Sequence, residues 1–258
     1  MSRSTTSLTA LAPARADSTI RLELDGGRQT TLHLASWSLA EVSLRVVRLD
    51  EPTRLVDWCR RSGVADALVG GFYTPRGREP LGELRLDGTR MPSVPFLEPW
   101  HATRACLHVD GDAIRLARRE SLAADPAGDL LQAGPLLVED GEVVCRDGDD
   151  AEGFAAGSTQ FDSDITDGRH PRAALALAAD RVLAAACDGR TADEAGLTLE
   201  ELARALVAAG AERALNLDGG GSTSLVLDGR LRNHPREQHG VELAGGRPIV
   251  TAIAFDGT

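Results

Sequence analysis

Leu215-Asn216-Leu217-Asp218-Gly219-Gly220-Gly221-Ser222-Thr223-Ser224 is a short apolar run that breaks into an acid, three glycines and three hydroxyl residues. An amphipathic helical pattern precedes it and the apolar run Leu225 to Leu227 follows, so residues 218–222 are predicted to form a loop between two strands. Glycine tolerates positive φ, and successive backbone N–H groups in such a turn can converge on one anion. The expected site places the N–H groups of Gly219, Gly220 and Gly221, flanked by Asn216 and Ser222, beside the Asp218 carboxylate. The plainer reading is a tight turn in which Asp218 bonds only backbone.

Upstream, Thr198 and Glu201 form a capping box, with Leu199, Leu202, Ala203, Leu206 and Val207 on one helical face up to Gly210. Before that helix, His170-Pro171-Arg172 and Asp188-Gly189-Arg190 bracket a predicted hairpin over 173–178 and 182–187. Downstream, a polar loop over 233–246 and Arg247-Pro248 lead to a last strand over 249–255. The first half reads as strands: a hairpin over 20–24 and 30–35, a run over 42–49, and further hairpins over 105–117 and 136–145. A short helix over 53–62, capped by Thr53 and stopped at Gly63, precedes the strand 67–73, which contains the pair Gly70-Gly71. Such a pair admits a ligand or a second backbone, or else marks a bulge packed on the core. Residues 146–167 are acidic and poor in periodic apolar residues, which predicts a long loop; Asp147, Asp149 and Asp150 do not have EF-hand spacing. The expectation is a disordered tail over 1–18 and one α+β domain over 19–258, built of curved antiparallel or mixed β-sheets with one or two major helices. Regular βαβ alternation is missing, which disfavours a Rossmann fold.

Composition narrows the chemistry. A net charge of −11 disfavours a general nucleic-acid surface, and no apolar run approaches the roughly 18 residues of a membrane helix. All 28 basic residues are arginine, a bias expected of a GC-rich bacterial gene, so lysine Schiff bases and Walker-type loops are excluded. Cys59, Cys106, Cys145 and Cys187 are too widely spaced for a zinc site and read as buried free thiols. The run over 8–12 is too brief for a signal core, which makes a cytoplasmic protein the expectation. No cofactor and no metal is called for, and oligomeric state is not legible.

Several blocks, in order, resemble the phosphodiester glycosidase family: Gly70-Gly71-Phe72-Tyr73, Gly134-Pro135-Leu136-Leu137, Pro171-Arg172-Ala173-Ala174, Asp188-Gly189-Arg190, the helix region 196–210, residues 214–223, and Arg247-Pro248. The resemblance covers most of the chain from about Ala67 onward. It departs at Val69, where the family carries asparagine, and at Ala173, where threonine or serine is common. The resemblance implies a hydrolase of a small-molecule glycosyl phosphodiester. A phosphate leaving group, with a second pKa near 6, needs little general acid; the growing positive charge on the sugar needs a carboxylate. Asp218 suits that task, and Asp188 is the candidate second carboxylate, its alternative role being a salt-bridged turn. Arg172 and Arg190, with Arg247 third, offer forked donors for phosphate oxygens. His170, His234 and His239 are open to either a solvated or an acid–base role. The competing readings are a phosphosugar-binding protein without turnover, favoured by Val69, and a glycosyl transferase using the same site.

Overall fold

The computed structural model describes residues 15–74, 76, 78–148, 150–154 and 165–257. In chain order the elements are β1 (Arg15–Leu24), β2 (Arg28–Ser38), β3 (Val42–Thr53), α1 (Leu55–Ser62), β4 (Asp66–Val69), β5 (Leu84–Leu86), β6 (Thr89–Arg90), α2 (Trp100–Thr103), β7 (Ala105–Asp110) and β8 (Ala113–Arg118). There follow β9 (Asp129–Gln132), β10 (Leu136–Glu139), β11 (Glu142–Val143), β12 (Ala173–Leu177), β13 (Arg181–Cys187), α3 (Leu199–Ala208), β14 (Arg213–Asn216), β15 (Leu225–Leu227), β16 (Arg230–Leu231) and β17 (Ile249–Gly257).

The apolar runs of β12 and β13 do not alternate with polar residues because both faces of their sheet are covered. Ala173, Leu175, Val182, Ala184 and Ala186 face one core, whereas Ala174, Ala176, Leu183, Ala185 and Cys187 face another that includes Leu199, Leu202, Ala203 and Leu206 of α3. This sheet has seven strands in the order β1-β2-β13-β12-β14-β10-β11. Two five-stranded sheets, β16-β15-β4-β17-β3 and β6-β5-β9-β7-β8, supply residues to the first core, with Trp37 of β2 stacked on Phe255 of β17 at 4.1 Å. Every ladder between these strands is antiparallel. The α+β reading therefore holds in its antiparallel form, with α1 and α3 as the substantial helices.

Capping follows local chemistry at α3, where Thr198 Oγ1 accepts the Glu201 N–H at 3.1 Å and Glu201 accepts the Thr198 N–H at 2.9 Å. At α1 the expected cap is displaced: Arg54, not Thr53, holds the N-cap position, and no side chain caps it. Gly63 ends that helix in the left-handed region, at φ 74°. The tail reading is corrected at its end, since residues 15–18 open β1; Arg15 is drawn into order by Asp66 (2.8 Å) and Asp228 (2.7 Å). The rest of that tail lies outside the described residues, as does Asp149 of the acidic run. All four cysteines are buried and outside any disulfide, and among the described residues no helix is long and apolar enough to cross a membrane.

Candidate active site

The glycine loop carries the chain from one sheet to another, leaving β14 in the seven-stranded sheet and entering β15 beside β4. Leu217 N–H donates to the Ala173 carbonyl at 2.9 Å and Asp218 N–H to the Gly70 carbonyl at 3.1 Å, so Asp218 is fixed where the two sheets converge. The three glycines answer three close neighbours. A Cβ on Gly219 would lie 2.9 Å from the Pro171 carbonyl oxygen, one on Gly220 3.1 Å from both terminal nitrogens of Arg190, and one on Gly221 2.9 Å from Glu237 Oε1. Gly220 also has φ 60°.

The expected open cradle of three N–H groups is corrected. Gly219 N–H is turned onto Asp218 Oδ1 at 2.9 Å and Gly220 N–H onto the Pro171 carbonyl at 2.8 Å, so two of the three donors are used within the protein. The plainer turn reading thus describes Oδ1. Asp218 Oδ2 is buried and is not held by the backbone, its neighbouring donor being the Ser222 hydroxyl. Burial pushes this carboxyl up to about 6, against the opposing pull of Ser222, Arg247 and the Gly219 N–H.

Around Asp218 stand two residues that the sequence did not single out, Tyr73 and Glu237. Burial and then the Asp218 charge raise the Tyr73 phenol, which interacts with Ser222 and Arg247. Glu237 receives Arg247 through a fork, Nε to Oε1 at 2.8 Å and Nη2 to Oε2 at 2.6 Å, while Arg247 N–H donates to the Gly221 carbonyl at 2.8 Å. Burial opposes the Arg247 charge, but Glu237 and Tyr73 hold it firmly protonated. Tyr73 lies inside the Gly70 to Tyr73 block and was within reach of sequence reasoning; Glu237 sits in a polar loop, and only its contact with Arg247 reveals it.

The remaining candidates divide by their partners. The buried Arg172 donates Nε to Leu197 O (2.7 Å), Nη1 to Ile165 O (3.0 Å) and Nη2 to Gly168 O (3.1 Å), which makes it the tie of the 165–168 segment rather than an open fork. Burial lowers its pKa to about 10. Asp188 is also enclosed: burial disfavours its charge, but His33 Nε2 (3.2 Å) and the His234 N–H (2.5 Å) hold it below the usual carboxylate range. Its partners are a histidine and a backbone donor, and among the described residues no arginine pairs with it as a salt-bridged turn would require. Arg190 gives Nη1 to Arg236 O at 2.8 Å and keeps its terminal nitrogens against Gly220. Asn216 donates to the Gly134 and Leu217 carbonyls, its Oδ1 being buried and unpartnered. Gly70 and Gly71 face Thr251, whose Oγ1 would lie 2.5 Å from a Gly70 Cβ and which accepts the Gly71 N–H at 3.1 Å. Of the readings open for that pair, close approach of another backbone is the one realised. Val69 is wholly buried in the main core, as is Ala173. Burial, with Arg172 and Arg190 nearby, lowers the His170 pKa, and its Nε2 meets Asp167 O at 2.9 Å.

A cleft of about 900 Å³ opens on the far side of Arg190, lined by Arg28, Arg169, Thr191, His239 and Gly240 among others. Among the described residues no group of three His, Cys, Asp or Glu side chains is placed to hold a metal ion.

A model of the phosphodiester glycosidase family matches residues 62–256, which include Asp218, Arg190, Glu237 and Arg247. The chain belongs to that family. It is 29% identical over 188 residues to the N-acetylglucosamine-1-phosphodiester alpha-N-acetylglucosaminidase of Bos taurus, covering 69% of this chain and 34% of that one. For the Homo sapiens protein of the same name the figures are 28% over 199 residues, 75% and 36%. The chain thus spans about a third of the length of these mammalian phosphodiester glycosidase relatives. The fold is shared with the zebrafish catalytic domain, described as auto-inhibited by its pro-peptide (TM-score 0.71, 18% identity, 96% of this chain and 84% of that one). A hypothetical protein from Synechocystis shares it too (TM-score 0.65, 18% identity, 95% and 62%).

Proposed function

We propose that this protein hydrolyses the glycosidic bond of a sugar 1-phosphodiester, releasing the sugar and a phosphate monoester, with Asp218 as the carboxylate that meets the sugar. The observation that carries this reading is a concentration of unpaired polar atoms. Asn216 Oδ1, Thr223 Oγ1 and Ser224 Oγ are buried without a protein partner, in the same nine-residue stretch that holds Asp218 Oδ2 and the Ser222 hydroxyl, which have only each other and Tyr73. Buried polar groups are nearly always paired, so such a run on one loop is best explained by a hydroxyl-rich ligand that supplies the missing partners.

Water adds its oxygen to the anomeric carbon as the C1–O bond breaks, and the bonding pair leaves on the phosphate. Asp218 supplies negative charge opposite the anomeric carbon, directly or through that water. Arg190 and Arg247 flank the glycine loop and receive the leaving phosphate, a task the committed N–H groups of Gly219 and Gly220 do not perform. Glu237 holds Arg247 in place through a fork and stands as the second carboxylate of the cluster in preference to Asp188. N-acetylglucosamine, named in the mammalian relatives, is the first sugar to test.

The test is release of a phosphate monoester from a panel of sugar 1-phosphodiesters in 18O-labelled water. The reading expects label in the sugar; label in the phosphate would mean cleavage at phosphorus and would overturn it. Val69 in place of the family's asparagine favours the second reading, a phosphosugar-binding protein, and tight binding with no turnover on any panel member would establish that one instead.

A pH prediction follows from Arg247, whose charge pulls the Asp218 carboxyl down toward about 6. Asp218 works as the anion, so kcat/KM falls as pH drops through that value. In Arg247→Gln the pull is lost and Glu237 is left unpaired beside it, so the acid limb moves to higher pH, by roughly one unit. A limb that stays in place, or moves lower, would remove Asp218 from the role of working base.

A further inference from the structure

The cleft beyond Arg190 is cationic on a chain whose net charge is −11: among the described residues three arginines and a histidine line it, and no aspartate or glutamate does. Its arginines are not equivalent. Arg169 is anchored by Glu201, with Nε 3.0 Å from each carboxylate oxygen, and by the Asp25 carbonyl at 3.2 Å. Arg190 shares itself between the cleft and the glycine loop, through Nη1 to Arg236 O and through its contact with Gly220. The Arg28 guanidinium, at the exposed start of β2, makes no hydrogen bond or ion pair among the described residues. At about 900 Å³ the space exceeds what a single phosphate on Arg190 needs and suits a larger small-molecule group. Arg28 also lies outside the residues that the family model matches, 62–256, so this wall of the cleft is supplied by the N-terminal hairpin.

We propose that the leaving group carries a second phosphate beyond the one joined to the sugar, and that the cleft between Arg190 and Arg28 holds it. The substrate class is then a sugar diphosphate ester rather than a simple monophosphate diester. The inference rests on the glycosidase reading and deepens it. The bond broken is unchanged: water's oxygen joins C1, and the C1–O pair leaves on the diphosphate, whose two phosphates stay joined. Arg190 meets the proximal phosphate beside Gly220, and the forked Arg28 donor meets the distal one.

The experiment compares wild type and Arg28→Gln on two substrates with the same sugar, its 1-(methyl phosphate) and its nucleoside diphosphate ester. Arg60→Gln, an exposed change on α1, serves as the control for net charge. Arg28→Gln should lower kcat/KM for the diphosphate roughly tenfold, as expected for loss of one charge-assisted contact, and for the methyl phosphate by no more than about twofold. Equal loss on both substrates, or loss on neither, overturns the proposal. Titration calorimetry with inorganic pyrophosphate and orthophosphate gives a readout that does not need turnover. Wild type should favour pyrophosphate by about tenfold, and Arg28→Gln should erase that preference. If no diester is turned over, the glycosidase reading fails while the titration still decides the cleft: a preference carried by Arg28 supports the anion site, and none overturns it.

Discussion

Asp218→Asn should reduce turnover on the order of a thousandfold while leaving a folded protein that still binds phosphosugar. The amide fills the same space and can still accept the Gly219 N–H, so the loop keeps its shape, but it presents no negative charge to a sugar acquiring positive charge. Stability should move the other way. The folded carboxyl is raised to about 6, above its unfolded value near 3.9, because burial disfavours the anion. The stabilisation that comes from protonating it is complete below the unfolded value and is lost as pH rises through about 6. At neutral pH wild type therefore carries a destabilising buried charge that the asparagine variant lacks. The variant should melt at the same temperature or higher at pH 7.5, and that advantage should shrink toward pH 4. Undiminished turnover would withdraw Asp218 from the chemistry, and a lower melting temperature at pH 7.5 would contradict the burial argument.

Gly70→Ala should be the most damaging glycine substitution in the fold of the site. The added Cβ would stand 2.5 Å from Thr251 Oγ1 and 2.8 Å from the Thr251 carbonyl carbon and oxygen, backbone that β17 holds against both β3 and β4. Relief requires moving strand backbone, so the expected loss is about 3 kcal/mol or more, a fall of roughly 10 °C in Tm for a chain of this size. The damage is not confined to packing, because the Gly70 carbonyl accepts the Asp218 N–H and any displacement moves the carboxylate. Activity of the surviving folded fraction should fall with stability. Gly26→Ala is the comparison: Gly26 has φ 77° but nothing within 4 Å of the added carbon, so it should lose only about 1 kcal/mol and keep full kcat/KM. Equal effects from the two substitutions, in thermal melts and in kcat/KM, would show that the Thr251 contact does not set the requirement at Gly70.

The residues legible in sequence were those whose role is local. The capping box of Thr198 and Glu201, the hairpins and the Asp-Gly turns follow from spacing alone, and so does the loop that presents Asp218. What escaped is what the fold brings together from afar. Glu237 matters because Arg247, ten residues on, reaches back to it over Gly221. His33 meets Asp188 across 155 residues. Arg172 and Arg190 each end a short Pro or Gly motif in the sequence, yet one is spent on three carbonyls and the other borders a cleft. Whether an arginine is free for a ligand depends on which carbonyls the folded chain leaves within its reach, and no pattern in one segment encodes that. The glycine triplet likewise announced close approach correctly but not what would approach: a carbonyl, a guanidinium and a carboxylate of the protein itself.

The pairing of β2 with β13 and of β3 with β17 separates two boundaries that are easily taken for one. The sequence match to the family begins at residue 62, yet residues 15–61 contribute β1 and β2 to one sheet and β3 to another and bury Trp37 against Phe255. The unit that the sequence match recognises is therefore smaller than the unit that folds, which the likeness to the zebrafish domain spans over 96% of this chain. Cut out alone, residues 62–256 would present the stripped flanks of β13 and β17 to one another's copies, and self-association by strand addition is the expected fate, seen as light scattering on dilution from denaturant. The segment that the sequence match leaves out is here a structural partner, so a change in it can reshape what surrounds an inherited centre without touching the centre itself.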